Sequence, residues 1–204
     1  MAIQNVVFDI GNVLVRWDPQ AVVLEYFGPT VDIADYTRRI FSGTSDFWRA
    51  LNLGHYTEAE AIARYHQDFE LSIPELTDLV HKAYHSLVPL PESVALLEAV
   101  HQAQIPLYSI TDNVHEIMTF LKTTCPFLSY FKDIVVSADL GILKPNPKIY
   151  QTLLKQHYLI PETTVFIDDL APNVIGAQKL GMQGIQFQTA ATCRTALETL
   201  GLSF

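Results

Sequence analysis

Residues 6–15 read Val-Val-Phe-Asp-Ile-Gly-Asn-Val-Leu-Val, and the reading of that stretch decides the fold. Val6, Val7 and Phe8 make an unbroken apolar run that stops at Asp9, with Gly11 and Asn12 just beyond. A short apolar run bounded by turn formers fits a strand buried on both faces. The runs at 105–110, 133–137 and 163–167 read the same way, and 184–187 is expected to add a further strand. Helical patterns lie between them. Residues 91–102 carry Val94, Leu97 and Val100 at helical spacing, and 147–156 and 173–180 read as helices, the last stopped by Gly181. Strands alternating with helices imply an α/β chain with a parallel sheet covered on both sides.

The stretch 19–88 interrupts that alternation with helical pattern on helical pattern. Thr57-Glu58-Ala59-Glu60 and Ser72-Ile73-Pro74-Glu75 each set a hydroxyl three residues ahead of a glutamate, the signature of a capping box. The organisation expected is a core made of 1–18 and 89–204, with 19–88 inserted as a helical bundle after the first strand. Val15-Arg16-Trp17-Asp18-Pro19 is the expected hinge into the insert, and Leu87-Val88-Pro89-Leu90-Pro91 the return linker, stiffened by its prolines.

Composition narrows the function classes. The chain has 204 residues, 49% of them hydrophobic, enough for one sizeable core and a smaller accessory unit. A net charge of −9 argues against a nucleic-acid partner. The N-terminal Met-Ala-Ile-Gln-Asn-Val-Val-Phe has no basic leader pattern, and its apolar run breaks at Asp9, so neither a signal peptide nor a membrane span is expected. Cys125 and Cys193 are far apart and lack metal spacing, which reads as two reduced thiols in a cytoplasmic protein.

Four patches carry the chemistry: Asp9; Thr111 in Tyr-Ser-Ile-Thr-Asp-Asn; Lys144 in Leu-Lys-Pro-Asn-Pro; and Asp168-Asp169 in Val-Phe-Ile-Asp-Asp. In open α/β sheets, ligands bind outside the carboxyl ends of the strands. Asp9, Thr111 and the acid pair each follow a strand candidate, so they should face one crevice. Taken singly, Asp9 reads as a turn cap, Thr111 as a turn residue and Lys144 as a solvated lysine. Adjacent acids after an apolar run repel each other and lose hydration, so a cation is their natural relief. Together the patches offer a nucleophile, a hydroxyl, a cation and metal-holding carboxylates.

These fragments resemble the motifs of the haloacid dehalogenase-like hydrolase superfamily, over nearly the whole chain. The helical insert resembles the family's C1 cap, and the first motif is most similar to small-metabolite phosphatases that read Asp-x-Gly-Asn. The resemblance implies a Rossmann-like core with an α-helical cap. It implies Asp9 as the nucleophile forming an aspartyl-phosphate, and Mg²⁺ held by Asp9, the Gly11 carbonyl and Asp169, with Asp168 behind or sharing that duty. Thr111, the Asp112 N–H and the Asn113 region would hold phosphate oxygens, and Lys144 would neutralise phosphate charge and steady Asp9. The substrate implied is a small phosphorylated metabolite, with a sugar phosphate among the candidates.

Most phosphatases of this family carry a second Asp two residues after the nucleophile, where this chain has Gly11. A positioned proton donor is typically worth ~10²–10⁴ in rate. A phosphate on an anomeric carbon, a good leaving group, would need that acid least. Two alternatives remain. A metal-independent 2-haloacid dehalogenase shares the aspartate and lysine, but that pattern replaces the acid pair with small polar residues and has Asp where this chain has Asn173. A catalytically impaired binder of a phosphorylated ligand or a partner has Gly11 as its support. In the insert, Trp48, Arg49 and His55 are candidates for substrate contact, against the plainer reading of Trp48 as packing and Arg49 as solvated. Trp17 reads as packed, Arg38-Arg39 as a surface pair, and His81, His85 and His115 as lacking metal spacing.

Overall fold

The computed structural model describes residues 2–204. Strands β1 (Asn5–Phe8), β2 (Leu107–Thr111), β3 (Asp133–Val136), β4 (Thr164–Asp168) and β5 (Gln183–Gln186) form one sheet in the order β3-β2-β1-β4-β5, parallel throughout. Alternate side chains leave β1 on opposite faces. Val7 joins Tyr108, Ile110 and Phe166 against Ile149, Tyr150 and Leu153 on one side. Val6 and Phe8 join Leu107, Val165 and Ile167 on the other. Both faces are buried, which is why the run at 6–8 shows no alternation of apolar and polar residues.

Five α-helices follow β1 ahead of residue 91: α1 (Pro19–Phe27), α2 (Ile33–Phe41), α3 (Asp46–Asn52), α4 (Glu58–Tyr65) and α5 (Ile73–His85). Both capping boxes form, Thr57 with Glu60 at the start of α4 and Ser72 with Glu75 at the start of α5. The helices pack on aromatic rings. Phe47 meets Phe69 edge-on at 5.6 Å, and Phe41 meets Trp48 at 5.1 Å. Two chain passages connect this segment to the sheet and are tied together, with Arg16 N–H donating to Val88 O and Leu90 N–H to Leu14 O, each at 2.8 Å. One apolar cluster runs from Val6 and Phe8 through Val13 and Leu14 into Ile40, Phe47 and Leu51.

The remaining helices are α6 (Pro91–Gln102), α7 (His115–Thr124), α8 (Ser137–Leu140), α9 (Pro147–Gln156), α10 (Ala171–Gln178) and α11 (Ala190–Thr199). Boundaries differ from the sequence expectation where local bonding competes. β2 starts at Leu107 rather than at 105 because Ile105 N–H closes the end of α6 on Val100 O and Pro106 has no N–H to give. Ser137 leaves β3 to open α8. β4 extends through Asp168, so Asp169 is the first residue past the strand. α10 starts at Ala171, before the expected 173, because Pro172 suits a first helical turn. Among the described residues, no helix is long and apolar enough to cross a membrane.

Candidate active site

The chain runs outward from β1 to β2 and β3, then crosses back to β4 and β5 on the other side. That reversal puts the crevice of the sheet at the carboxyl end of β1. Asp9 stands there, its N–H bonded to Ile167 O at 2.8 Å. Lys144 reaches the same point from the loop between α8 and α9, which is pinned where Lys144 N–H donates to Asp112 Oδ1 at 3.0 Å. The Lys144 ammonium lies 2.9 Å from Asp9 Oδ1, 2.7 Å from Asp168 Oδ2 and 3.2 Å from Ile110 O. It is almost wholly buried, so all three bonds form out of water.

Asp168 is fully engaged. Its Oδ1 accepts from Leu170 N–H at 2.8 Å and Asn173 Nδ2 at 3.0 Å, and its Oδ2 accepts from Lys144 and Asn173. Tyr150 hydroxyl in turn donates to Asn173 O at 2.9 Å. Asp9 Oδ1 accepts from Ile10 N–H at 2.7 Å as well as from Lys144.

Burial dominates the electrostatics. It pushes the Asp9 carboxyl up to about 7, outweighing the pull of Lys144, with Asp168 adding repulsion. Burial also raises Asp112 and Asp169, where the Asp168 charge contributes. For Lys144 burial acts downward, but Asp9, Asp168 and Asp112 more than offset it, so the ammonium is held protonated. Several acids thus share one lysine. Asp9, Asp168 and Asp169 each bring a carboxylate oxygen within 4.8 Å of the others. A cluster of oxygen donors with surplus negative charge, losing hydration, fits a hard divalent cation.

A cavity of about 320 Å³ opens on this cluster. Asp9, Gly11, Asp112, Asn113, Lys144 and Asp169 line it. Thr111 and Asp168 are not in its lining; both are buried at their strand ends, Asp168 behind Lys144. The Asn113 N–H is taken by Ser137 Oγ at 2.9 Å. In the helical segment, Trp48 borders the cavity and also stacks on Trp17 at 5.3 Å, so packing and lining are one role. Arg49 and His55 are exposed and outside the lining, although the Arg49 charge is felt at Asp112. The histidines have ordinary partners: His81 pairs with Glu58, His115 with Asp139, and His85 bonds to His81 O. Arg38 and Arg39 pair with Asp35 on the surface of α2.

Sequence reasoning missed Asn52, Leu87, Ile117 and Leu170 in the lining, and Ser137 beneath it. Leu170 alone left a signal, an apolar residue directly after the acid pair where a polar turn would be ordinary. Ser137 Oγ also donates to Asn52 O at 2.7 Å, which docks the end of α3 on the start of α8. Gly54 makes the approach possible: at φ +64°, a Cβ there would stand 2.2 Å from Ala138 O.

A strand-end carboxylate, a buried ammonium and an acid pair thus meet at the switch point of a parallel sheet. The family model for haloacid dehalogenase-like hydrolases matches residues 3–181, and the chain belongs to that family. Sesquiterpene phosphatase astK of Aspergillus oryzae is 26% identical over 202 residues, 96% of this chain and 95% of that one. D-ribitol-5-phosphate phosphatase of Bacteroides thetaiotaomicron is 31% identical over 75 residues, 37% of this chain and 36% of that one. Among solved structures, a family enzyme of Bacteroides thetaiotaomicron in complex with magnesium and inorganic phosphate superposes with a TM-score of 0.75 at 19% identity, covering 91% of this chain and 94% of that one. The L-2-haloacid dehalogenase of Xanthobacter autotrophicus gives 0.66 at 19% identity, covering 96% and 83%. Likeness at that identity establishes the shared fold.

Proposed function

We propose that this protein is a cytoplasmic, magnesium-dependent phosphomonoester hydrolase that works through an aspartyl-phosphate on Asp9, with 1–18 and 89–204 as the catalytic unit and 19–88 as its cap. One observation carries the reading: the buried Lys144 ammonium seated between Asp9 at 2.9 Å and Asp168 at 2.7 Å on the floor of the cavity. A carboxylate that attacks a phosphate meets like charge. A fixed cation beside the attacking oxygen lowers that barrier with no reorganisation at the moment of reaction. The relatives named as phosphatases support a phosphate ester as substrate, and the free, buried thiols of Cys125 and Cys193 suit a reducing compartment.

Asp9 Oδ1 is held by Ile10 N–H and Lys144, which leaves Oδ2 for phosphorus. The Oδ2–P bond forms as the bond from phosphorus to the ester oxygen breaks. Water then attacks phosphorus, releasing phosphate and restoring the carboxylate. The leaving oxygen takes its proton from solvent, because Gly11 brings no acid to the site. The Asp112 N–H, with the Thr111 hydroxyl just behind the lining, would hold phosphate oxygens, and Asn113, bonded to Ser137, fixes the loop between them and α7. Asp168, with both oxygens in use, orients Lys144. Asp9, Asp169 and the Gly11 carbonyl would hold Mg²⁺, which supplies charge neutralisation of the phosphate.

The test is hydrolysis of p-nitrophenyl phosphate and a panel of small phosphate esters, with magnesium or with EDTA. Turnover is expected only with the metal, and Asp9→Asn is expected to lower it ~10⁴-fold or more with the fold intact by circular dichroism. Metal-independent turnover, or release of chloride from 2-chloropropionate in EDTA, would overturn the assignment.

A further inference from the structure

The cavity has two unlike halves. Asp9, Asp112, Asn113, Lys144 and Asp169 gather on the sheet side. The lining also carries the apolar side chains of Val15, Trp17, Trp48, Leu87, Ile117 and Leu170. Among the described residues, the helical segment gives the lining no charged side chain. Its polar contributions are the Trp48 indole N–H and Asn52, whose Nδ2 donates to Trp48 O at 2.8 Å and whose backbone carbonyl accepts from Ser137. The apolar wall is rigid where it matters: Trp17 and Trp48 stack with their planes 5° apart, and Phe41 closes edge-on behind both. At the rim Leu170 remains 55% exposed, an apolar side chain held in water beside a charged site.

A polyol esterified to the bound phosphate would press most of its hydroxyls against apolar surface, where the indole N–H groups of Trp17 and Trp48 and the Asn52 side chain are the few polar atoms to meet them, and unpaired polar groups are penalised there. A hydrocarbon would cover Leu170, Leu87 and the indole rings and gain by leaving water. We propose that the group esterified to phosphate is an apolar hydrocarbon chain, so that the substrates are hydrocarbyl monophosphates rather than sugar phosphates. This rests on the phosphatase reading above and narrows it.

Two measurements separate the inference from that reading. The first is calorimetric binding of n-alkylphosphonates from ethyl to octyl, with magnesium present and no turnover required. The second is kcat/KM for the matching n-alkyl phosphates, set beside glycerol phosphate and glucose 1-phosphate. Kd is expected to fall ~3–4-fold per added methylene until the cavity is filled, with an increasingly negative heat-capacity change, and kcat/KM is expected to rise in step. Leu170→Asn, which keeps a residue suited to begin α10, is expected to flatten that slope, and Trp48→Ala to flatten it further, with melting curves verifying that each variant is folded. A flat series, or glucose 1-phosphate preferred over the octyl ester, overturns the proposal even if phosphatase activity is strong. A steep binding series without turnover of any ester sinks the phosphatase reading and supports the apolar wall.

Discussion

The carboxyl edge of the sheet and the helices at 19–85 meet across one cavity but are held by different forces. At the sheet edge each reactive group has several polar partners: Lys144 has Asp9, Asp168 and Ile110 O, while Asp168 has Lys144, Asn173 and Leu170 N–H. The helices rest on rings, with Phe41, Phe47, Trp48 and Phe69 at their centre. Two of their polar ties reach across to the remaining chain, Ser137 Oγ to Asn52 O and Glu58 N–H to Glu116 Oε1. A buried polar network tolerates little change, because removing one partner strands another's charge. Apolar packing repacks more readily when volume is kept. Substitutions at the sheet edge should therefore alter kcat for every ester alike, and those in the helices should alter which ester is preferred.

The strongest way to break that contrast is Lys144→Met. It leaves Asp9 and Asp168 facing each other out of water. The expected losses are ~10²–10³-fold in kcat across all substrates and ~3–5 kcal/mol in stability by urea unfolding. A loss confined to one ester would show that Lys144 reads the substrate after all. Gly11→Asp works in the opposite direction. Nothing stands within 4 Å of a Cβ built at Gly11, so a carboxyl group fits at the cavity lining. A gain of about 10-fold or more is expected on esters with poor leaving groups, and less on p-nitrophenyl phosphate. Equal rates before and after would mean that position 11 does not limit protonation.

Gly54→Ala tests the seam between the two regions. The new methyl would meet Ala138 O in a left-handed backbone. A stability loss of ~1–3 kcal/mol is expected, with KM rising by a larger factor than kcat falls. The smallest effect lies within the helices. The Tyr84 hydroxyl donates to the Glu58 carboxylate, and burial, then that bond, push its ionisation well above the usual phenol range. Above pH ~10 the unfolded chain releases a proton that the folded chain keeps, so stability declines as pH rises. Denaturant unfolding between pH 9 and 11 is expected to decline less steeply in Tyr84→Phe.

Much of the sheet-edge side was legible because strand-ending acids are out of place in apolar runs. Asp9 and the pair Asp168-Asp169 stand out for that reason. The residues alone did not divide the pair; the family resemblance set Asp169 at the metal, with Asp168 behind it or sharing that duty. Asp168 is held on Lys144, Asn173 and Leu170 N–H, while Asp169, the first residue past the strand, stays at the cavity. Ser137 left no local signal, since its partner Asn52 lies 85 positions away and only tertiary docking joins them. In the helical segment, polarity was the wrong guide. Arg49 and His55 offered the chemistry but face solvent, while Leu87 and Asn52, unremarkable in sequence, line the cavity.

Ser137 also governs how the enclosure works as a vessel. Its hydroxyl accepts from Asn113 N–H on the loop that follows β2 and donates to Asn52 O on the far wall. The clasp is thus on the inside. Parting the two walls would sever the second bond and leave both atoms in need of new partners. Ser137 is thus a rivet shared by two walls: taking away its hydroxyl would loosen the Asn113 loop and the end of α3 together.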